Sequence, residues 1–148
     1  MNDCVKGIDY PGVSVVFVCH DGKGNYLFNK RSVNCRDEHG RWDCGAGGLD
    51  LGLSIEETLK KEIMEEYCTK VLDFEFIGYR DVFREHDGKK THWLMMDFLV
   101  LVDREKVKIG EPHKMDEIGW FKIGNLPSPT HSQWPAYYNK YKEKLGWD

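Results

Sequence analysis

The stretch GAGGLDLGLSIEETLKKEIMEEYC, Gly45–Cys68, sets a glycine-rich run directly against a helical pattern. Ser54 followed three residues later by Glu57 spells a capping box, in which hydroxyl and carboxylate each satisfy an otherwise unpaired backbone N–H. Ile55, Leu59, Ile63 and Tyr67 then recur every four residues as one apolar stripe. Within the same helix stand Glu62, Glu65 and Glu66, spaced i, i+3 and i+4 on one face, where Cβ atoms lie about 5–6 Å apart. At about 6 Å each like-charged pair repels by roughly 0.7 kcal/mol in bulk water, and by about 3 kcal/mol at an effective dielectric near 20. Glu62 and Glu66 flank the Leu59–Ile63 stripe, so they are expected at the edge of the covered face, where the larger figure applies. A raised pKa, salt bridges from Lys60, Lys61 or Lys70, or a divalent cation would each relieve that repulsion. Hard oxygen ligands at this spacing suit magnesium, which keeps some waters and completes its shell with a phosphate. A solvated acidic face is the competing reading.

Upstream, Gly12–His20 (GVSVVFVCH) is β-branched and apolar and stops at Asp21-Gly22, and Tyr26–Arg31 (YLFNKR) reads as its hairpin partner. Residues 34–52 read as a loop around a short apolar piece at Trp42. Downstream, residues 71–85 and 91–102 read as two long strands joined across His86-Asp87-Gly88, and residues 117–123 as a further strand. Trp134, Tyr137, Tyr138, Tyr141 and Leu145 recur every three or four residues, which predicts a closing amphipathic helix over residues 132–145. Strands, helix, strands and helix in 148 residues predict one α/β domain, a mixed sheet flanked by helices.

The formal net charge is −4, with lysines and arginines scattered among acids, which argues against a nucleic-acid polymer as partner. No run approaches membrane-spanning length, and the opening MNDCVKGIDYPG lacks the pattern of an export signal, so a cytoplasmic protein without a membrane partner is expected. The five cysteines are odd in number and form no CxxC pair, as expected of reduced thiols. Oligomeric state is left open, a homodimer included.

The glycine-rich run and the helix together resemble the Nudix box of the MutT-like Nudix hydrolases. That signature is a glycine, five residues, a glutamate, seven residues, Arg-Glu, an aliphatic, any residue, Glu-Glu, any residue, a glycine and an aliphatic. Gly47, Glu62, Ile63, Glu65 and Glu66 match in register, while Leu53, Lys61, Cys68 and Thr69 depart from it. Trp42, five residues before Gly47, and the ending EPHKMDEIGWFKIGNLP are also similar to the family. The resemblance implies a Nudix-type α/β/α sandwich that hydrolyses a nucleoside diphosphate linked to another group, with magnesium, or manganese in its place. It implies that Glu62, Glu65 and Glu66 bind the metal, joined by the main-chain carbonyl of Ala46 and by Glu111 of the Glu111-Pro112 pair, and that Glu65, Glu66 or Glu111 serves as base. In the family the missing glutamate and arginine form an ion pair bracing loop against helix. Their joint replacement by Leu53 and Lys61 suggests an apolar brace, and Cys68 suggests a helix that ends without the usual left-handed glycine cap or continues a little further.

Arg31, Arg36 and Arg41 surround the loop feeding the box and are candidates for phosphate contacts. Trp134-Pro135 resembles a Trp-Pro of Nudix enzymes acting on oxidised purine nucleoside triphosphates, in which the tryptophan stacks on the base; the two aspartates that follow there are Ala136 and Tyr137 here. Trp93, Tyr79 and Phe83 are further base-site candidates, with a core role as the alternative. A nucleoside triphosphate pyrophosphohydrolase is the favoured reading, with an ADP-ribose or nucleotide-sugar hydrolase second. A nucleotide-binding module without turnover and an inert structural domain compete from other classes.

Overall fold

The computed structural model describes residues 3–147. Its core strand is β1 (Gly12–His20), buried along almost its whole length. One face of β1 presents Val15, Phe17 and Cys19 to Leu59, Ile63 and Tyr67 of helix α1 (Ile55–Tyr67). The other presents Val16 and Val18 to Trp134, Tyr137 and Tyr141 of helix α2 (Trp134–Leu145). The two-residue alternation of a strand thus feeds two separate apolar layers, and the molecule is an α/β/α sandwich.

Among the described residues, seven strands form the sheet. β2 (Tyr26–Arg31) pairs antiparallel with the end of β1, through Cys19↔Leu27 and His20↔Tyr26. β3 (Trp42–Asp43) and β4 (Gly45–Gly48) follow, and β4 pairs antiparallel with the first half of β1, from Ser14↔Gly48 to Phe17↔Gly45. β5 (Asp73–His86) and β6 (Lys89–Leu101) form a long hairpin, and β6 runs parallel to β1. Asp87 and Gly88 connect them with φ of 51° and 77°, the paired left-handed conformation of a tight hairpin turn. β7 (Met115–Phe121) pairs with β2.

The expected strand over residues 12–20 and the box at Ser54–Glu57 are present as read, and the capping bonds are reciprocal: Glu57 N–H donates to Ser54 Oγ at 3.0 Å and Ser54 N–H to Glu57 Oε1 at 3.2 Å. The expected loop over residues 34–52 is corrected, because it contains β3 and β4. Gly45–Gly48 has no intrinsic strand preference; its pairing is imposed by β1, and at Gly45 a Cβ would fall 1.9 Å from the Phe17 ring. Cys68 also differs from expectation. It takes the left-handed conformation itself, with φ of 59°, and its N–H donates to Met64 O at 3.0 Å.

β5 is the outer strand on its side of the sheet, and α2 reaches across to it. Lys144 Nζ donates to Ile77 O at 2.9 Å, and Lys140 Nζ donates to Tyr79 O. Among the described residues no helix is long and apolar enough to cross a membrane.

Candidate active site

Gly47 is where β4 meets α1. A Cβ there would stand 2.2 Å from Glu62 Cδ and 2.3 Å from its Cγ, so only glycine lets the Glu62 carboxylate lie against the strand. The strand is itself tied down, with Ser14 Oγ donating to Gly47 O at 2.9 Å. One turn on, Glu66 is buried, and Glu65 faces outward at the rim. The last carbonyls of α1, which a helix leaves unpaired, are taken by an incoming loop: Gly110 N–H donates to Glu66 O at 2.8 Å and Lys108 N–H to Tyr67 O at 3.0 Å. A Cβ on Gly110 would lie 2.0 Å from Glu65 O, so this approach too requires glycine. The next residue is Glu111, whose own carbonyl accepts from the N–H groups of Lys114 and Met115 at 2.9 and 3.1 Å.

The result is a cavity of about 550 Å³ whose lining includes Ala46, Gly47, Glu62, Glu65, Glu66 and Glu111, together with Asn29, Asp43 and Lys114. Burial, then Glu111, Glu62 and Asp43, push Glu66 well above the ordinary carboxylate range, and Lys114 counters them in part. Glu62 is pushed up by burial and by Glu65, with Lys61 opposing and Glu111 and Asp50 adding to the rise. These carboxylates therefore feel one another through a partly desolvated space, the condition under which repulsion is largest. Among the described residues no three of His, Cys, Asp and Glu are already drawn together at ligand distances. The donors are all hard oxygens, the chemistry that suits magnesium or manganese.

Lys61 replaces the expected apolar brace with an ionic one. Its Nζ lies 3.6 Å from Asp50 of the loop and 3.6 Å from Glu65 of the helix, so Asp50 takes the part that an acid at residue 53 would have played. Leu53 is only half-buried beside it.

The acidic cavity shares Arg31, Arg36, Asp37, Asp43, Cys44 and Ala46 with a neighbouring cavity of about 200 Å³ that runs toward α2. Arg31 is held there between two carboxylates, Nη2 at 3.1 Å from Asp37 Oδ1 and Nη1 at 3.7 Å from Asp43 Oδ2. Arg41 turns away: its Nη1 donates to Thr130 O at 3.0 Å and it lines neither cavity. Trp134 lines the second cavity but is buried, stacked on Tyr137 with ring centroids 5.2 Å apart and edge-on to Phe28 at 5.0 Å. Tyr79 and Phe83 are exposed, and Trp93 lies over Gly7 and Gly12.

The fold thus gathers Ala46, Glu62, Glu65, Glu66, Glu111 and Arg31 around one space and leaves Arg41 out. Sequence reasoning missed Asn29, whose buried amide donates to Cys44 O and Tyr67 Oη, both at 2.8 Å; an asparagine inside an apolar strand was the available signal. It also missed Asp43 and the half-buried Arg80, whose Nε and Nη2 bond Asp97 at 2.7 and 2.8 Å.

The NUDIX domain family model matches residues 10–141. Among solved structures the fold is similar to a MutT NUDIX hydrolase from Burkholderia pseudomallei, with a TM-score of 0.76, 22% identity, and 87% of this chain and 96% of that one covered. It is similar to the NUDIX domain of Shewanella oneidensis NrtR, solved in complex with ADP ribose, with a TM-score of 0.72, 16% identity, and 91% and 88% covered. A MutT protein from Methanosarcina mazei Go1 aligns with a TM-score of 0.67 at 21% identity, with 91% and 96% covered. At these identities the structures show a shared fold, while the family match spans nearly the whole chain. The chain belongs to the NUDIX domain family.

Proposed function

We propose that the paired cavities hydrolyse the phosphoanhydride of a nucleoside triphosphate, releasing a nucleoside monophosphate and pyrophosphate. The observation that carries this reading is the continuity of the cleft, with carboxylates at one end, Arg31 and Arg36 at the waist and aromatic walls at the other. Glu62, Glu65, Glu66, Glu111 and the carbonyl of Ala46 would hold magnesium, or manganese. When bound, that ion supplies positive charge to the anhydride oxygens and acidifies water.

The remaining work falls to side chains. Arg31 and Arg36 bind phosphate oxygens, and Asp37 and Asp43 fix the angle at which Arg31 presents its guanidinium. A water attacks phosphorus, the bridging P–O bond breaks, and the water's proton passes to a carboxylate of the set Glu65, Glu66 and Glu111. The base is enclosed by the second cavity, with Trp134 as part of its wall.

Hydrolysis of ADP-ribose or a nucleotide sugar is the second reading, favoured by the similarity to a NUDIX domain solved with ADP ribose. Incubation with magnesium and a panel of nucleoside triphosphates, ADP-ribose and nucleotide sugars, with products identified, separates the two. Glu65→Gln and Glu66→Gln are each expected to lower turnover by about a hundredfold or more. Turnover that survives both substitutions overturns the mechanism, and saturable binding without products indicates a binding module.

A further inference from the structure

β2 contributes to the acidic cavity one polar side chain that the proposed hydrolysis does not use. Asn29 is 5% exposed and lines that cavity. The sheet sets its direction: Asn29 pairs with Asp43 across β2 and β3, and residues paired in this way project from one face, as does Arg31 two positions along the strand. All three line the acidic cavity.

The orientation of the amide follows from its partners. Nδ2 donates to Cys44 O and to Tyr67 Oη, both at 2.8 Å. A main-chain carbonyl can only accept, so Oδ1 cannot take the place of Nδ2 beside Cys44. Both amide hydrogens are thereby spent, and Oδ1 is the atom left over. Among the described residues none donates to it, yet it is not sealed in packing: the fully enclosed side-chain atoms without a partner are Asp37 Oδ2 and Tyr137 Oη. Oδ1 therefore keeps a face open to the cavity that Asn29 lines.

The donors on the same wall are directed elsewhere. Arg31 lies between Asp37 and Asp43, and Lys114 Nζ stands 4.0 Å from Glu111. Cys35 Sγ donates to Lys114 O at 3.2 Å and Cys44 Sγ to Asp43 Oδ1 at 3.7 Å. Arg36 stands where the cavity meets its neighbours and is the phosphate contact of the proposed hydrolysis. Buried acceptors are almost always paired, so Oδ1 marks a donor that arrives with a ligand. A hard divalent cation brings such donors, because magnesium keeps several of its waters and polarises them. An amide oxygen is neutral, so it holds a water without adding repulsion to a wall that already carries Asp43, Glu62, Glu65, Glu66 and Glu111.

We propose that Asn29 is part of the divalent-cation site, its Oδ1 accepting a hydrogen bond from a water that the cation carries. The inference rests on the metal-dependent hydrolase reading and adds to it a positioning residue outside the carboxylate set. Removing a group that orients a metal's ligands from behind typically costs about ten- to a hundredfold in affinity.

The test is a calorimetric titration of the metal-free protein with manganese, with thermal unfolding measured beside it. Asn29→Thr has a hydroxyl that can still donate to Cys44 O but no carbonyl, and is expected to bind manganese about tenfold more weakly. Tyr67→Phe removes the second partner of Nδ2 and leaves Oδ1 in place. It is expected to lower the thermal midpoint yet to bind manganese within about threefold of the unmodified protein. Asn29→Asp keeps an oxygen toward the cavity and loses both donated bonds, so it is expected to bind at least as tightly as the unmodified protein despite a lower midpoint. Binding by Asn29→Thr within about threefold of the unmodified protein overturns the assignment. So does a loss in Tyr67→Phe or Asn29→Asp as large as that in Asn29→Thr, because affinity would then follow the donated bonds and not Oδ1. Either result leaves the hydrolase reading standing. Failure of the unmodified protein to bind manganese overturns both.

Discussion

Gly47 lies so close to Glu62 that a Cβ on it would stand 2.2 Å from the carboxyl carbon. Gly47→Ala is therefore expected to expel the Glu62 side chain from its place against β4. A surface-reaching side chain can yield by rotation, so the loss of stability should be about 1 kcal/mol or less. A shift of about 1 Å in a positioned group can cost on the order of a hundredfold in rate. Steady-state kinetics alongside thermal unfolding check both halves.

Gly110 and Gly48 form a matched pair. At Gly110 a Cβ would collide with Glu65 O at 2.0 Å, a backbone atom that cannot rotate aside, whereas at Gly48 it would meet nothing within 4 Å. Gly110→Ala is expected to destabilise by roughly 2–3 kcal/mol and to displace Glu111, while Gly48→Ala changes stability by less than about 0.5 kcal/mol. Denaturant midpoints separate them.

Glu66 gives the metal-free protein a pH dependence whose sign follows from its raised pKa. Burial and the repulsion of Glu111, Glu62 and Asp43 lift the folded value above that of the unfolded chain, about 4.3. The stability associated with this group is then fully present below about pH 4.3 and is lost as pH rises through the folded value. At pH 8 without metal, Glu66→Gln is expected to be more stable than the unmodified protein by on the order of 1 kcal/mol or more, the gap closing toward pH 4. Magnesium should raise the midpoint of the unmodified protein more than that of the variant. Asp21 works in the other direction: burial pushes it up, but hydrogen bonds from Asn25, the Lys23 N–H and Arg104 hold it down to about 2. Its contribution is present above about pH 3.9 and fades as pH falls toward 2. Thermal melts from pH 3 to 8 check both signs.

The pairing of Lys61 with Asp50 is solvent-exposed, and such pairs contribute little. Asp50→Ala is expected to shift stability by less than about 0.5 kcal/mol. Leu53→Glu gives Lys61 a second acid and should change turnover by less than about threefold. A sharp rise in turnover would show that the ionic brace through Asp50 is inadequate.

Cys68 occupies a left-handed conformation with φ of 59°, which costs a residue with a Cβ roughly 1–2 kcal/mol. Cys68→Gly should accordingly stabilise the protein by about 1 kcal/mol, less the added freedom of the unfolded chain, as an upward shift in denaturant midpoint.

What the sequence revealed follows from where the relevant forces act. Glu62, Glu65 and Glu66 were legible because helical geometry alone brings them together, and Val15 to Val18 because β-branched runs announce a buried strand. β4 was not legible, since its four residues, three of them glycine, pair only because β1 presents them with a partner. Glu111 could be suspected from its motif, yet it is steered by a main-chain bond from Gly110 to Glu66 that no side chain signals. Arg31 and Arg41 flank the same loop and look equivalent in sequence, but Asp37 and Asp43 draw one inward while Thr130 holds the other outside. Tyr137 read as one member of an apolar helical stripe, and only the folded chain shows Arg80, from the outer strand of the sheet, lying over its ring at 4.8 Å.

Lys140 and Lys144 bond to carbonyls on the outer strand of the sheet, so the end of the chain acts as a guard against sticking to other copies. A truncation before Lys140 would bare those acceptors and strip away Tyr141 at once, and the shortened protein should clump in proportion to its concentration.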